Sequence, residues 1–200
     1  VLPVIREAAR LGAPISIDTT HAAVAREAID AGVAMVNDVS ALGDPAMAAL
    51  VAESGAGLVL MHMRGNPRTM QEDPRYEDLL GEIRGFLLDR RARAEASAVP
   101  RERIALDPGI GFGKTAAHNL EILDRLRELA ALGSPLVVGV SRKRFLGVVT
   151  GIQDPARRLA ASLAAATASR LAGAHILRVH DVAATREALA VADAIRRRVP

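Results

Sequence analysis

Six short apolar runs alternate with longer stretches of helical pattern along the chain, and no hairpin signal joins any two of them. The runs are Pro14–Ile17, Val33–Val36, Gly57–Met61, Arg103–Leu106, Pro135–Val140 and His175–Val179. Their β-branched and Leu-rich content is that of strands buried on both faces. Helical patterns fall near residues 21–31, 44–54, 76–98, 118–131, 154–172 and 183–198. Gly12, Gly32, Gly55, Gly133 and Gly173 each end a helical stretch ahead of a strand, where a left-handed cap is wanted. Asp44-Pro45 and Asp154-Pro155 place a capping acid before a proline suited to a first helical turn. Strict alternation of this kind predicts a parallel sheet, either open and doubly wound or closed into a barrel.

The strand ends favour the barrel. The runs end in Asp18-Thr19-Thr20, Asn37-Asp38, His62-Met63, Asp107-Pro108-Gly109, Ser141-Arg142-Lys143 and His180-Asp181. An open sheet gathers its ligand contacts at a switch point, whereas a barrel brings every carboxyl end to one mouth. The chain begins with Val1 inside an amphipathic helical pattern, with no initiator Met. The expectation is therefore an α/β TIM (β/α)8 barrel of which this chain supplies six βα units, strands 3–8, with two leading units missing. No repeat or low-complexity linker interrupts it, so residues 1–200 are read as a single, N-terminally incomplete domain.

Composition removes several function classes. Hydrophobic residues make up 50% and charged residues 24%, which excludes disorder. Cysteine is absent, so neither disulfides nor thiolate chemistry is available, and a cytoplasmic location is expected. One Tyr, three Phe and no Trp give no stacking platform for nucleic acid, and the net charge of +3 is scattered. The apolar stretch Leu159–Leu177 is Ala-rich and broken by Arg170, which reads as a buried helix and strand rather than a membrane span. No signal peptide is visible.

Two clusters of cations stand at the last two strand ends: Ser141-Arg142-Lys143-Arg144, and Arg178-Val179-His180. In a barrel these would be strands seven and eight, a frequent phosphate site, and such groups suit a phosphate or pyrophosphate. The alternative is a set of solvated loop charges. Only Lys114 and Lys143 are lysines, against 24 arginines, which points to a site that needs a compact ammonium. Asp18, Asn37 and Asp107 end three strands and together suit the donor–acceptor edge of a flat heterocycle. Each could equally cap a helix or order its loop. Asp38 is read as structural. The loop Asp107–Lys114 carries three glycines and Phe112 without a phosphate-loop spacing. His62 is read as a core or loop histidine. No metal-ligand spacing and no nucleophile elbow appears. What is left is catalysis by positioning and by stabilising a leaving group.

In order, Ser16-Ile-Asp-Thr19, Val36-Asn-Asp-Val39, Leu60-Met-His-Met63 with Gly65-Asn-Pro67, Leu106–Lys114, Val140–Gly147 and Arg178-Val-His-Asp181 resemble the dihydropteroate synthase family. The resemblance implies a folate-synthesis transferase. It would condense 6-hydroxymethyl-7,8-dihydropterin pyrophosphate with p-aminobenzoate to 7,8-dihydropteroate, releasing pyrophosphate. By motif position, Asp18, Asn37, Met61, Asp107 and Lys143 would hold the pterin, with Asp18 and Lys143 as catalytic residues. Arg178, Val179 and His180 would hold the pyrophosphate, and Phe112, Lys143 and the backbone at Arg144 would border the p-aminobenzoate. The family's Mg2+ ligand, an Asn on the first strand, would lie in the missing segment, leaving no metal ligand in this chain. The Ala-rich helix from Ala156 to Leu171 either packs tightly within the fold or forms a homodimer contact. Rival readings are a corrinoid methyltransferase barrel that binds methyltetrahydrofolate, a non-catalytic pterin-binding paralogue, and an unrelated phosphate-binding barrel. Lys143, Arg178 and His180 speak against the first, which needs no pyrophosphate cradle. Without the two leading units, the isolated chain is expected to be inactive or barely folded.

Overall fold

The computed structural model describes residues 1–65, 69, 70 and 72–198. Asn66 and Pro67 of the loop motif after the third run lie outside the described residues. The backbone divides into two compact units, one of residues 1–62 and 83–107, the other of residues 63–82 and those from 108 onward.

In the first unit, α1 (Leu2–Ala9), β1 (Ser16–Asp18), α2 (Ala22–Asp30), β2 (Met35–Asp38), α3 (Met47–Ser54), β3 (Gly57–Met61), most of α4 (Leu79–Ala96) and β4 (Ile104–Asp107) alternate as expected. The four strands form one parallel sheet in chain order. Consecutive right-handed crossovers in an unbroken order put their helices on the same side. Along each strand every second side chain turns to the same face, and Ile17, Val36, Leu58, Leu60, Ile104 and Leu106, all buried, share one of the two. The opposite face is buried too at Val59, Met61 and Ala105, as in parallel sheets generally. Three strands begin and end one or two residues later than their apolar runs. Asp18, Asn37, Asp38 and Asp107 thus sit inside the ladder, because a polar residue at a strand end still donates and accepts main-chain bonds.

The second unit holds residues 63–82, which include the start of α4, and α5 (Ala116–Asp124), α6 (Leu126–Ala130), β5 (Val137–Val138), α7 (Arg144–Thr150), α8 (Leu159–Leu171), β6 (Ile176–Leu177) and α9 (Val182–Arg197). β5 and β6 pair in parallel. Both are shorter than their apolar runs. Beyond Val138 the ladder gains one further bond, Arg178 N–H to Val138 C=O at 3.0 Å, and then meets Gly139, beside which the Arg178 guanidinium stands. The single helix expected over 118–131 is broken at Arg125 into α5 and α6. α7 was not legible as a helix, because its seven residues are too few to show a period. Asp154 accepts from Ala156 N–H at 2.9 Å, but it caps a 3₁₀ turn over Pro155–Arg157 that precedes α8. Asp44 likewise accepts from Ala46 N–H ahead of α3, and it also reaches Ala22 N–H at the start of α2 at 2.8 Å.

Candidate active site

Partners across a parallel ladder lie on one face of the sheet, as do residues two apart on a strand. Asp18 stands opposite Asn37, and Asn37 opposite Val59. Val59 shares its face with Met61, which stands opposite Asp107. Asp18, Asn37, Met61 and Asp107 therefore line the carboxyl end of a single face of the first unit's sheet. Asn37 Nδ2 donates to Asp18 Oδ2 at 2.7 Å. That bond fixes which end of the amide is which, since only the nitrogen can donate to a carboxylate. The other end, Oδ1, is buried without a hydrogen-bond partner. An orphaned buried acceptor costs about 1–3 kcal/mol, so this one is poised for a donor brought by something else. Asp107 is 1% exposed, whereas Asp18 is open to solvent. Acceptors in a row beside the Met61 thioether suit a flat ring with N–H groups along one edge.

Neighbouring side chains carry the structural work. Asp38, on the opposite face, accepts from Ser40 N–H and Oγ–H and from Leu42 N–H, holding Ala41 and Leu42 at positive φ. This is the ordering role expected of it. His62 is buried against the edge of the Phe86 ring, centroids 5.1 Å apart, as a packing histidine would be.

In the second unit, Lys143 Nζ donates to the carbonyl of Ile110 and lies 4.5 Å from the centroid of the Phe112 ring. The glycine-rich loop and the Ser141–Arg144 segment are thus brought together as the sequence reading required, with a cation–π contact between them. Lys114, 2% exposed, turns inward and donates to Phe112 C=O at 3.0 Å. A cavity of about 420 Å³ is lined by Met70, Pro74, Phe112, Lys143, Arg144 and Asn119 among others. Arg144 opens α7 with its side chain exposed.

The pyrophosphate candidates follow β6. His180 takes its place from Ser141, whose Oγ accepts from His180 N–H at 3.2 Å and lies 3.0 Å from Nδ1. Arg178 lies over Gly139, where an added Cβ would stand 3.3 Å from Nε; Val179 is half-buried between these two. Arg142 departs from the expected cluster. Its guanidinium forms a two-point pair with Asp181, at 3.0 and 2.6 Å. Hydrogen bonding to Arg142 pulls the Asp181 carboxyl below its ordinary range, and the same bond raises Arg142. The pair engages Nε and Nη2, so the guanidinium acts as a strut between this turn and Asp181.

Below that strut lies a network that the sequence did not disclose. Arg158, 5% exposed, donates to the carbonyls of Arg142, Ile152 and Gln153. Ser162 Oγ accepts from Arg142 N–H at 2.9 Å and donates to Arg158 C=O at 2.7 Å. Gly147 is glycine because of this network. A Cβ there would stand 2.6 Å from Ile152 C=O and 2.7 Å from an Arg158 nitrogen. Asn119 was likewise missed; its side chain accepts from Gly111 N–H and donates to Thr115 C=O, both at 2.7 Å. The only sequence signal was a polar residue on the buried side of a helical pattern.

Among the described residues no group of three or more His, Asp or Glu side chains is arranged to hold a metal.

The sequence pattern of the family described as pterin binding enzyme matches residues 1–180. The chain is 42% identical over 195 residues to dihydropteroate synthase of Escherichia coli K12, covering 97% of this chain and 69% of that protein. The solved dihydropteroate synthase of Stenotrophomonas maltophilia superposes with a TM-score of 0.95 at 45% identity, over 98% of this chain and 74% of that one. The Thermus thermophilus enzyme, solved in complex with 6HMPPP, gives 0.94 at 45% identity, over 98% and 78%. The same enzyme in complex with 4-aminobenzoate gives 0.93 at 46%, over 96% and 75%.

Proposed function

The chain belongs to the dihydropteroate synthases, transferases within the pterin-binding enzyme family, and from that membership we propose which of its residues carry the reaction. The reaction joins 6-hydroxymethyl-7,8-dihydropterin pyrophosphate to p-aminobenzoate: a C–N bond forms at the pterin's exocyclic methylene, the C–O bond to pyrophosphate breaks, and the amine loses a proton. Asp18, Asn37 and Asp107 accept from the pterin's N–H edge, with Met61 beside them and Lys143 completing the set. Arg178, the backbone at Val179, and His180 hold the departing pyrophosphate. Phe112, Lys143 and the backbone of Arg144 border the aromatic amine. Asp18 and Lys143 are the groups we regard as catalytic. Departure of the anion ahead of amine attack needs fixed positive charge more than a strong base, which matches a chain offering cations and no activated nucleophile.

The observation that carries this reading is the buried, unpartnered Oδ1 of Asn37, held beside the Asp18 carboxylate. Magnesium is a proposal from the family alone. No residue of this chain is assigned to it, and no step is routed through it. We further place the reaction in the cytoplasm, read residues 1–200 as one functional domain, and name a second copy of the chain as partner. No described helix is long and apolar enough to cross a membrane.

The test is pyrophosphate release from the pterin substrate by the full-length protein, with and without p-aminobenzoate. Release that requires both supports the assignment. Release indifferent to the amine, or none at all, sinks it and favours a non-catalytic pterin-binding role.

A further inference from the structure

The loop 109–114 has little regular structure to fix it, yet it presents Phe112 and the carbonyl that receives the Lys143 ammonium. Gly109, Gly111 and Gly113 all have positive φ. Side chains hold four successive residues instead. Lys143 takes the carbonyl of Ile110, Asn119 takes the N–H of Gly111, Lys114 takes the carbonyl of Phe112, and Tyr76 O–H donates to the carbonyl of Gly113 at 2.7 Å. The first two come from the elements that flank the loop downstream and the third from the loop itself. Tyr76 comes from elsewhere, the segment after β3.

Tyr76 is gripped on two sides. The Arg64 guanidinium lies 4.9 Å from its ring centroid, and His118 meets it edge-on at 5.1 Å. Arg64 is itself held by Glu82 Oε2 at 2.6 Å, while Glu82 Oε1 accepts from Glu77 N–H at 2.9 Å. His118 is fixed in a capping box with Thr115 at the start of α5. Burial pushes the Tyr76 hydroxyl up to about 12, so it stays a donor at any working pH. The fit at Gly113 is close: a Cβ there would stand 2.5 Å from the backbone oxygen of Arg64. Two residues of the same segment, Met70 and Pro74, line the cavity shared by Phe112, Lys143 and Arg144.

We propose that Tyr76 is a positioning residue for the amine half of the reaction, clamped by Arg64 and His118 so that its hydroxyl fixes Gly113, and through it Phe112, while its segment supplies Met70 and Pro74 to the wall of the p-aminobenzoate cavity. This rests on Phe112 and Lys143 bordering the amine, as proposed above. Tyr76 does not touch the reacting atoms. It sets where the ring of the incoming amine is met.

Tyr76→Phe removes the hydroxyl and keeps the ring, so the fold is retained. In steady-state assays on the purified full-length protein it should raise the KM for p-aminobenzoate about fivefold to tenfold, the equivalent of one lost hydrogen bond. The KM for the pterin pyrophosphate should change by less than about twofold, because uniform loss on one side leaves the other untouched. Hydrogen exchange at the amides of Gly111–Lys114 should accelerate in parallel. Tyr76→Leu, which also removes the ring, should enlarge both effects in the same pattern. Equal shifts in the two KM values, or faster exchange with an unchanged amine KM, would reduce Tyr76 to a stability residue and overturn the proposal. Unchanged exchange in both variants would overturn it as well. If the unaltered protein shows no amine-dependent turnover, the assignment of Phe112 and Lys143 fails and the amine role falls with it, while exchange at 111–114 still reports whether Tyr76 fixes the loop.

Discussion

Asn37 uses the two ends of its amide in unlike ways, and the difference can be measured. Nδ2 is committed to Asp18, while Oδ1 is buried and unmatched. Asn37→Ala removes a useful bond to a solvent-facing carboxylate together with a costly orphan, so the unliganded protein should change in stability by no more than about 1 kcal/mol. Affinity for the pterin substrate should nevertheless fall about tenfold or more, because the ligand's donor then meets nothing. Urea unfolding beside pterin binding checks this; a large stability loss with intact binding would make Asn37 an ordinary core residue. Ser141 makes the corresponding case on the cationic side. Ser141→Ala frees the His180 ring, and kcat should fall about tenfold with the KM for p-aminobenzoate nearly constant, as expected for a group felt at the departing anion. Asp18, Asn37 and Asp107 stood out because each closes an apolar run, although the sequence left a capping or loop-ordering role equally open. The hydrogen-bonding roles of Asn119 and Arg158 were not legible, because their partners are main-chain atoms delivered by the fold, and no spacing in the sequence announces a carbonyl.

At the scale of elements, the alternation of strand and helix was read correctly because apolar runs and helical stretches differ in length and in punctuation. Strand limits shifted by a residue or two, since main-chain pairing continues past the last apolar side chain. The break at Arg125 and the helix α7 escaped notice because each is set by tertiary packing at segments too short to show a period. The turn from β5 into α7 is where element geometry and site meet. Gly147 on α7 has no room for a methyl group beside Ile152 C=O and the Arg158 guanidinium, so Gly147→Ala should destabilise the protein by about 1–3 kcal/mol, read from urea denaturation. The Arg142–Asp181 pair ties the same turn to the start of α9. Asp181 is lowered in the folded state, chiefly by its bond to Arg142. Its contribution is therefore complete above the ordinary carboxylate range and is lost as pH falls through the depressed folded value. Asp44 and Asp193 are lowered as well, by main-chain donors and by Arg170 respectively. Asp181→Asn should accordingly be less stable near neutrality and show a shallower acid limb; an identical acid limb would mean that the pair contributes nothing.

For the molecule as a whole, the open question raised by the sequence is what covers α8. Its Ala-rich face allows close approach, but the structure extends the matter beyond one helix. A groove of about 540 Å³ runs along α5, α7 and α8, lined by Leu120, Phe145, Val149, Ala164, Ala168 and Leu171 among others. Leu120 is 45% exposed and Val149 60%. Scattered apolar residues on a surface need no explanation, but a contiguous apolar groove floored by small side chains is the form of a helix-packing interface. A second copy of the same chain, meeting the groove about a two-fold axis, would present the same face and satisfy it reciprocally. The groove lies within one compact unit. Val149→Arg places a charge at its centre without disturbing the buried side of α7. The proposal of a second copy as partner predicts a dimer in sedimentation for the unaltered protein and a monomer for this variant, with the pterin KM preserved. On the same proposal, since α7 begins at Arg144, next to Lys143, the turnover of that monomer should fall further than its pterin binding. A protein that sediments as a monomer before any substitution would remove the interface and leave α8 as a helix packed against its own neighbours alone.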